Sequence, residues 1–174
     1  QLQDYHHFNE TMSQGMPIVM FDRVVSEIKC DKVIVDDFNG AKNAVSKLLS
    51  NGCQSIAIIT TKDYVSVGKL RTQGYLSALQ DHKITAEALS AMKVVRKLGL
   101  KVPDDVQVIG FTDGVLSKHS TPSLTTVSQH EQQMGEKAAH LLIDKIETVY
   151  HSEDEEQFQT VVIATNLIER ESTK

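Results

Sequence analysis

The sequence predicts an α/β fold in which helices cover a parallel sheet. Short apolar segments rich in Val and Ile alternate with longer segments whose apolar residues recur every three or four positions. The short segments have the composition of strands buried on both faces, and the longer ones have the spacing of amphipathic helices. This alternation is typical of parallel sheets built from crossover units. Two of the short segments also end directly in charged residues, which places those residues at the edge of the sheet where such folds bind ligands.

The first elements follow a polar N-terminal stretch, residues 1–15, which has a weak helical spacing of apolar side chains. Ile18–Phe21 is predicted to form a buried strand that ends at the charged pair Asp22–Arg23. Lys32–Val35 is predicted to form a second strand, and it ends in the same way at Asp36–Asp37. Two predicted strands therefore finish in carboxylates.

The middle of the chain continues the alternation. A helix is predicted over residues 39–50, because its apolar residues share one face and an Asn-Gly pair follows it as a stop signal. Ser55–Thr60 is predicted to be a fully buried strand. A polar loop over residues 61–68 and a helix from Leu70 to the region of His82 come next.

The second half of the chain predicts two more helices and two more strands. Thr85–Leu98 and Gln132–Val149 have the apolar spacing of amphipathic helices. Val106–Phe111 and Phe158–Ala164 are predicted to be strands, with residues 167–171 trailing behind the last one.

One junction departs from the alternation. A parallel strand is regained only through a crossover unit, yet the helix ending near His82 is followed almost at once by the helix starting at Thr85. We interpret Lys83–Thr85 either as a seam from which a segment is absent or as a tight helical hairpin.

Composition excludes several classes of function. The 174 residues have a net charge of -5, and a negative chain does not attract the phosphates of nucleic acids. The chain by itself is therefore not expected to bind DNA or RNA. No apolar run approaches the length of a membrane helix, and no membrane partner is expected. Cys30 and Cys53 have no disulfide or metal-ligand spacing, and no signal peptide is recognisable, which favours a cytoplasmic location.

Motifs for catalysis, cofactors and metals are missing from the sequence. It contains no glycine-rich phosphate loop, no His/Cys ligand spacing and no Gly-x-Ser-x-Gly turn, so no catalytic residue, cofactor or metal is predicted. An enzyme that uses Asp22 or Asp36 as a general base is the alternative, but neither has an accompanying acid or nucleophile in the sequence.

The candidate binding residues are polar side chains at the predicted carboxyl ends of strands. Carboxylates accept hydrogen bonds from ligand hydroxyls and arginine offers a planar fork of donors, which suits a sugar or a similar small polar metabolite. The alternatives for single residues are structural, such as a helix cap for Asp36 or a surface ion pair for Arg23. The candidates are Asp22, Arg23, Asp36, Ser66, Arg71, Thr112 and Asp113.

Several motifs, taken in order, carry a resemblance to a known family. The most specific are Val-Pro-Asp-Asp-Val at residues 102–106, Ile-Gly-Phe at 109–111 and Pro-Ser-Leu-Thr-Thr-Val at 122–127. With residues 16–23 and 71–75 they resemble the effector-binding domain of the LacI/GalR family of bacterial transcription regulators, and the likeness covers nearly the whole chain.

The resemblance implies the fold of type I periplasmic binding proteins, with two doubly wound parallel-sheet lobes that this chain contains incompletely. Residues 1–36 and 122–150 would then form part of the lobe nearer DNA, and residues 37–118 and 158–174 the far lobe. A missing segment near residues 84–85 would account for the irregular junction. The family's N-terminal helix-turn-helix is not recognisable in these residues.

The resemblance also implies a function and a set of partners. A small effector would bind between the lobes and alter DNA binding through a domain absent from this sequence, in a homodimer located in the cytoplasm. The family's effector-contacting positions fall on the candidates above except Asp113, and Thr112 stands where many members have Asp. A sugar-binding receptor of the periplasmic-binding-protein type, serving transport or chemoreception, is the second hypothesis.

Overall fold

The computed structural model of the chain describes residues 5–60, 66–82, 99–149 and 157–174. It divides into two compact units, the first made of residues 1–35 and 131–163 and the second of residues 36–130 and 164–174. The family resemblance placed the lobe boundaries near residues 36, 122 and 158. The structure divides the chain into units after residues 35, 130 and 163. The chain therefore passes between the units three times.

The first unit is a three-stranded parallel sheet with two helices. The strands lie in the order β1-β2-β5, and Val33 of the central strand is in register with Phe21 on one side and Val161 on the other. The elements are α1 (His6–Ser13), β1 (Val19–Phe21), β2 (Asp31–Val35), α5 (Glu131–Val149) and β5 (Thr160–Ile163). These bounds confirm the strands and the long helix predicted for this part of the sequence.

Helix α5 covers this sheet with one apolar face. Met134, Ala138 and Leu141 recur at helical spacing and pack against Val33, Val35 and Ile163. The prediction of an amphipathic helix is confirmed, because these are the positions of its apolar stripe. The helix α1 packs in a separate cluster through Phe8 and Met12 against Met20, Ile28 and Cys30.

A buried carboxylate joins two segments of the first unit. Asp31 is 1% exposed, and its Oδ1 accepts a hydrogen bond from the Gln159 backbone N–H at 2.7 Å. Its Oδ2 lies 3.6 Å from the ammonium of Lys145 on α5. Since a buried charge is tolerated only with such partners, this contact ties the start of β2 to the segment before β5.

The second unit contains a mixed sheet and two packed helices. Its strands lie in the order β3-β4-β6, with β3 parallel and β6 antiparallel to β4. The elements are α2 (Asp37–Ser50), α3 (Ser66–Asp81), β3 (Ile109–Phe111), α4 (Val115–His119), β4 (Thr125–Ser128) and β6 (Asn166–Ile168). The predicted helices over 39–50 and 70–82 are confirmed, although α3 begins earlier, at Ser66.

Helices α2 and α3 pack in close contact around Gly74. A Cβ atom added at Gly74 would lie 2.2 Å from the Phe38 carbonyl oxygen, so only glycine permits this approach. The buried core between the two helices consists of Val45, Tyr75, Ala78 and Leu79, and Ile56 belongs to the same cluster.

The prediction of a fully buried strand at Ser55–Thr60 is wrong in the described part of the chain. Ile56 is buried there, but Ala57 and Ile59 are exposed, and these residues form no strand pairing with any described segment. A β-prone sequence becomes a strand only when a neighbouring strand offers its hydrogen-bonding edge. Among the described strands β3 also pairs on one side only, with β4.

Two other predictions differ from the structure in detail. The strand predicted over Val106–Phe111 is shorter, because the Val108 N–H donates to the Ser172 carbonyl instead of to another strand. Part of the C-terminal segment expected to trail behind the sheet forms β6. The helix predicted at Thr85–Leu98 and the junction at Lys83–Thr85 lie outside the described residues.

Candidate functional site

Asp22 and Arg23 lie in the first unit, directly after β1. Asp22 has a left-handed backbone with φ of 61°, and its N–H donates to the Val33 carbonyl of the neighbouring strand at 3.1 Å. Arg23 is exposed. The chain thus turns sharply where the strand ends, and Asp is among the residues that tolerate this backbone conformation.

The second unit repeats this turn at Thr112, directly after β3. Its φ is 77°, and its N–H donates to the Val127 carbonyl of β4 at 3.0 Å. A phenylalanine precedes the left-handed residue in both units. A β-branched residue rarely adopts positive φ, so the Thr112 backbone is strained at the carboxyl end of the sheet, where α/β folds bind ligands.

Asp36 caps helix α2. Its Oδ1 accepts the Asn39 backbone N–H at 3.0 Å, and its Oδ2 accepts the Asn39 side-chain amide at 2.7 Å. An aspartate cap satisfies an N–H group that the first helical turn leaves unpaired. The helix cap, which the sequence left open as the structural alternative for Asp36, is therefore the role that its contacts show in this structure.

Arg71 on α3 is held on two sides. Its Nε donates to Oδ1 of Asp37 at 2.7 Å, and the Asp37 side chain is only 4% exposed. Its guanidinium carbon lies 3.7 Å from the ring centroid of Phe111, in the geometry of a cation–π contact. The part of the chain that the structure describes offers no hydrogen-bond partner to its two terminal Nη groups.

Gly40 makes room for the Phe111 ring. A Cβ atom at Gly40 would lie 2.9 Å from Cζ of Phe111 and 2.7 Å from Oγ1 of Thr165. The first turn of α2 can therefore approach β3 and support the ring beneath Arg71. Sequence reasoning placed Asp37 at the sheet edge but did not assign Asp37 or Phe111 to Arg71, because their proximity depends on how α3 packs.

Asp113 is engaged by three neighbours. Its Oδ1 accepts hydrogen bonds from Nη2 of Arg170 and from the Thr126 hydroxyl, and its Oδ2 lies 3.7 Å from the Lys118 ammonium. Burial alone would raise the pKa of the Asp113 carboxyl, but these hydrogen bonds and positive charges outweigh burial and lower that pKa. Asp113 is therefore an ionised anchor inside the second unit.

Ser66 is the first residue of α3 and is exposed. It shares its helix with Arg71, five residues further on. Of the seven predicted site residues, Asp36, Ser66, Arg71, Thr112 and Asp113 belong to the second unit, and Asp22 and Arg23 belong to the first.

Gln129 is a polar residue at this edge that sequence reasoning missed. It follows β4, is 5% exposed, and accepts the Thr112 hydroxyl at its Oε1 at 2.6 Å. Its Nε2 is buried and has no hydrogen-bond partner among the described residues. Its position directly after the strand-like Thr-Thr-Val-Ser segment was the available signal, since that position lies at the same sheet edge.

The described residues contain neither a metal-binding cluster nor a membrane-spanning helix. No group of three His, Cys, Asp or Glu side chains there could hold a metal ion. None of the described helices is both long and apolar enough to cross a membrane.

The sequence matches a family model described as "Periplasmic binding protein-like domain" over residues 85–173. Curated relatives include the ribose operon repressor of Haemophilus influenzae, 24% identical over 91% of this chain and 58% of its own length. The HTH-type transcriptional regulator CelR of Thermobifida fusca is 28% identical over 91% of this chain and 57% of its own length. The chain thus spans less than two thirds of the length of these relatives.

The alignment with the ribose operon repressor contains an internal difference in length. It runs over 196 residues, more than the 174 residues of the whole chain, although it uses only 91% of that chain. The repressor therefore has residues within the aligned region that have no counterpart here.

Solved structures resemble the fold closely. A LacI family transcriptional regulator from Enterococcus faecium with bound ribose has a TM-score of 0.83 and 24% identity, covering 98% of this chain and 75% of its own. A complex of the transcriptional regulator CelR with cellobiose has a TM-score of 0.79 and 26% identity, covering 93% of this chain and 60% of its own.

Proposed function

Because the chain belongs to the periplasmic binding protein-like domain family, as an effector-binding domain of the LacI/GalR type, we propose that it binds a small polar effector and thereby regulates transcription. Its relatives include repressors, and two similar structures contain ribose and cellobiose. DNA would be bound by a domain outside these 174 residues, which fits the net charge of -5. No chemical step is part of this function, and the regulator would act in the cytoplasm.

The arrangement of Arg71 is the observation that carries this proposal. Asp37 holds its Nε and Phe111 supports its flat face, while its terminal Nη edge stays unpaired in the described part of the chain. A guanidinium fixed in this way has already lost the side-chain freedom that ligand binding would otherwise remove. It can therefore donate two parallel hydrogen bonds to an oxygen-rich ligand.

Regulation requires that the effector distinguish two states of the domain. A ligand shifts an equilibrium only by its difference in affinity for the two conformations, and this difference is the coupling free energy passed to the DNA-binding domain. The three passages of the chain between the units, after residues 35, 130 and 163, are the natural places for such a change. His130 lies at one of them with a left-handed φ of 53°.

We also propose that the second unit lacks a segment near residues 84–85. Ser55–Thr60 has a strand sequence but no described strand beside it, and β3 has one described neighbour only. The ribose operon repressor has extra residues inside its aligned region. A strand placed between Ser55–Thr60 and β3 would complete the parallel sheet that the alternation of elements predicts.

We expect the effector-binding domain to form a homodimer. Val115 and Leu116 on α4 are 72% and 86% exposed, and adjacent apolar side chains with such exposure favour a covered surface. Sedimentation of the chain at micromolar concentration should give the mass of two chains, and Leu116→Glu should give one. A wild-type mass of 19.3 kDa would contradict this expectation.

A thermal-shift screen with sugars, sugar phosphates and purines tests the function. A bound ligand raises Tm according to its concentration relative to Kd, and Arg71→Ala is expected to abolish the shift. Lys69→Ala, an exposed residue on the same helix, is the matched control and should leave the shift unchanged.

The variant needs a control for folding, because Arg71→Ala leaves the buried Asp37 carboxylate without its arginine. Asp37→Asn/Arg71→Ala removes both charges of this pair, so the double variant should fold while ligand binding is lost. An unchanged ligand shift in this double variant would remove Arg71 from the site, and the absence of any ligand would contradict the proposed function.

A further inference from the structure

The hydrogen-bond acceptors at the ligand edge of the second unit are used by the protein itself. The carboxylate of Asp36 caps α2, that of Asp37 holds Arg71, and that of Asp113 accepts Arg170 and Thr126. A ligand hydroxyl would meet carboxylates that internal contacts already hold in place, and it could use only their remaining lone pairs. This matters because the function proposed above leaves the chemistry of the effector undefined.

Two donors at this edge lack hydrogen-bond partners among the described residues. The Nη edge of Arg71 has no hydrogen-bond partner among the described residues, and the buried Nε2 of Gln129 has none either. Thr112 connects them along the chain, because it follows Phe111, on which Arg71 stacks, and its hydroxyl contacts Gln129. A buried donor without an acceptor costs free energy, so its retention calls for a compensating partner.

In this structure Thr112 contacts the oxygen end of the Gln129 amide. Its hydroxyl donates to Oε1 at 2.6 Å, which directs Nε2 away from Thr112. A carboxylate at position 112 would accept a hydrogen bond from Nε2 and so leave Oε1 without a partner. In this arrangement the Gln129 amide has its donor end, Nε2, without a partner among the described residues.

This inference rests on the function proposed above. We propose that the second unit selects a sugar-sized effector that carries an anionic oxygen group, either a carboxylate or a phosphate. Arg71 donates to this group, and Nε2 of Gln129, whose amide contacts Thr112, supplies a neutral donor at the same edge of the sheet. Thr112 is exposed while Gln129 is 5% exposed, so the amide lies next to a surface residue. The net charge of -5 repels anions in general, so selection for an anion depends on these local donors.

Calorimetric titration with matched compounds tests this preference. The probes are D-glucose, D-glucuronate and D-glucose 6-phosphate, and D-ribose with D-ribose 5-phosphate, at constant ionic strength with acetate and inorganic phosphate as blanks. Within a series, the preferred anionic member should bind at least about tenfold more tightly than the neutral sugar. The two glucose derivatives distinguish a carboxylate from a phosphate.

Three variants at one position isolate the role of Thr112. Thr112→Asn keeps a donor toward Oε1 of Gln129 and should retain the preference, whereas Thr112→Asp should reverse it. Thr112→Val removes the hydroxyl without changing charge or β-branching, and it should reduce the preference about fivefold to tenfold. Asn and Asp both tolerate positive φ, so folding is not the limiting factor for this pair.

The outcomes separate this inference from the function on which it rests. Equal or stronger binding of the neutral sugars by the wild type overturns the inference and leaves effector binding intact. The same holds if Thr112→Val lowers stability without changing ligand preference, since Gln129 would then serve folding alone. A wild type that binds none of the probes overturns the inference, and failure of the wider screen as well would contradict the proposed function.

Discussion

At the scale of single residues, the polar side chains at the sheet edge differ in whether the protein already uses them. The carboxylates of Asp36, Asp37 and Asp113 have internal partners. The guanidinium of Arg71 is held on two sides, and its terminal edge has no partner in the described part of the chain. Residue type alone does not make this distinction, because an aspartate after a strand can equally cap a helix or bind a ligand. The neighbours decide it.

The Asp113 anchor should make stability depend on acid pH. Its folded pKa is lowered, so its charge contributes stability that is present above the unfolded pKa and is lost as pH falls through the folded pKa. The free energy of unfolding should therefore fall between about pH 5 and pH 3. Asp113→Asn should cost about 2 kcal/mol at pH 7 and flatten this slope, as measured by urea denaturation at several pH values.

A surface aspartate provides the comparison for Asp113. Asp104 forms a 3.4 Å pair with Lys174 and is 67% exposed, so Asp104→Asn should change stability by well under about 1 kcal/mol. An acid slope that is equally steep in Asp113→Asn and in the wild type would show that other groups control it.

At the scale of elements, the packing of α2 against α3 places Arg71 beside its partners. Gly74 lies one turn after Arg71 on α3 and lets the two helices approach, while Gly40 on α2 leaves room for Phe111. Close contact of the two helices brings Asp37 within hydrogen-bond distance of Arg71. The sequence predicted both helices, but the need for glycine at these positions emerges only from the atoms that face them.

Gly74→Ala should destabilise the second unit. Its Cβ would lie 2.2 Å from the Phe38 carbonyl oxygen and 3.0 Å from the Lys42 nitrogen, and backbone atoms can move apart only if the helices separate. We expect a loss of about 3 kcal/mol in thermal or urea unfolding, together with weaker ligand binding.

Gly135→Ala is the matched control on a helix. A Cβ at Gly135 on α5 meets nothing within 4 Å, so the substitution should raise stability by about 1 kcal/mol through the better helix propensity of alanine. If Gly74→Ala were also stabilising, the close approach of α2 and α3 would not hold in solution.

At the scale of the whole molecule, the two units differ in how completely their sheets are paired. Each unit has a central strand paired on both sides, but in the second unit the strand-like segment Ser55–Thr60 has no described strand partner. The family resemblance and the helix-to-helix junction both indicated a missing segment, and the relatives carry additional residues within the aligned region. The second unit is therefore expected to be locally less stable at this edge.

Hydrogen exchange measures this difference. No amide of Ser55–Thr60 donates a hydrogen bond to a described residue, while β4 is paired with β3 on one side and β6 on the other. The amides of Ser55–Thr60 should exchange at least about a hundredfold faster than those of β4. Equal protection of both segments would mean that another part of the chain completes the sheet.

The sequence by itself determined the types and order of most of the described elements, the family and the positions where strands end in polar residues. These properties follow from hydrophobic periodicity and from local motifs, which each segment carries within its own residues. Ser55–Thr60 marks the limit of such reasoning, because pairing depends on a neighbour that the segment does not contain.

Only the tertiary structure decided how the polar residues are used. In the structure Arg71 contacts Asp37 and Phe111, and Asp36 caps a helix. Asp113 accepts a hydrogen bond from Arg170, and the Thr112 hydroxyl donates one to Gln129. The physical reason is that a hydrogen bond acts only over about 3 Å, so its partner is set by packing between segments distant in the chain. The same chemical groups in another packing would have different partners.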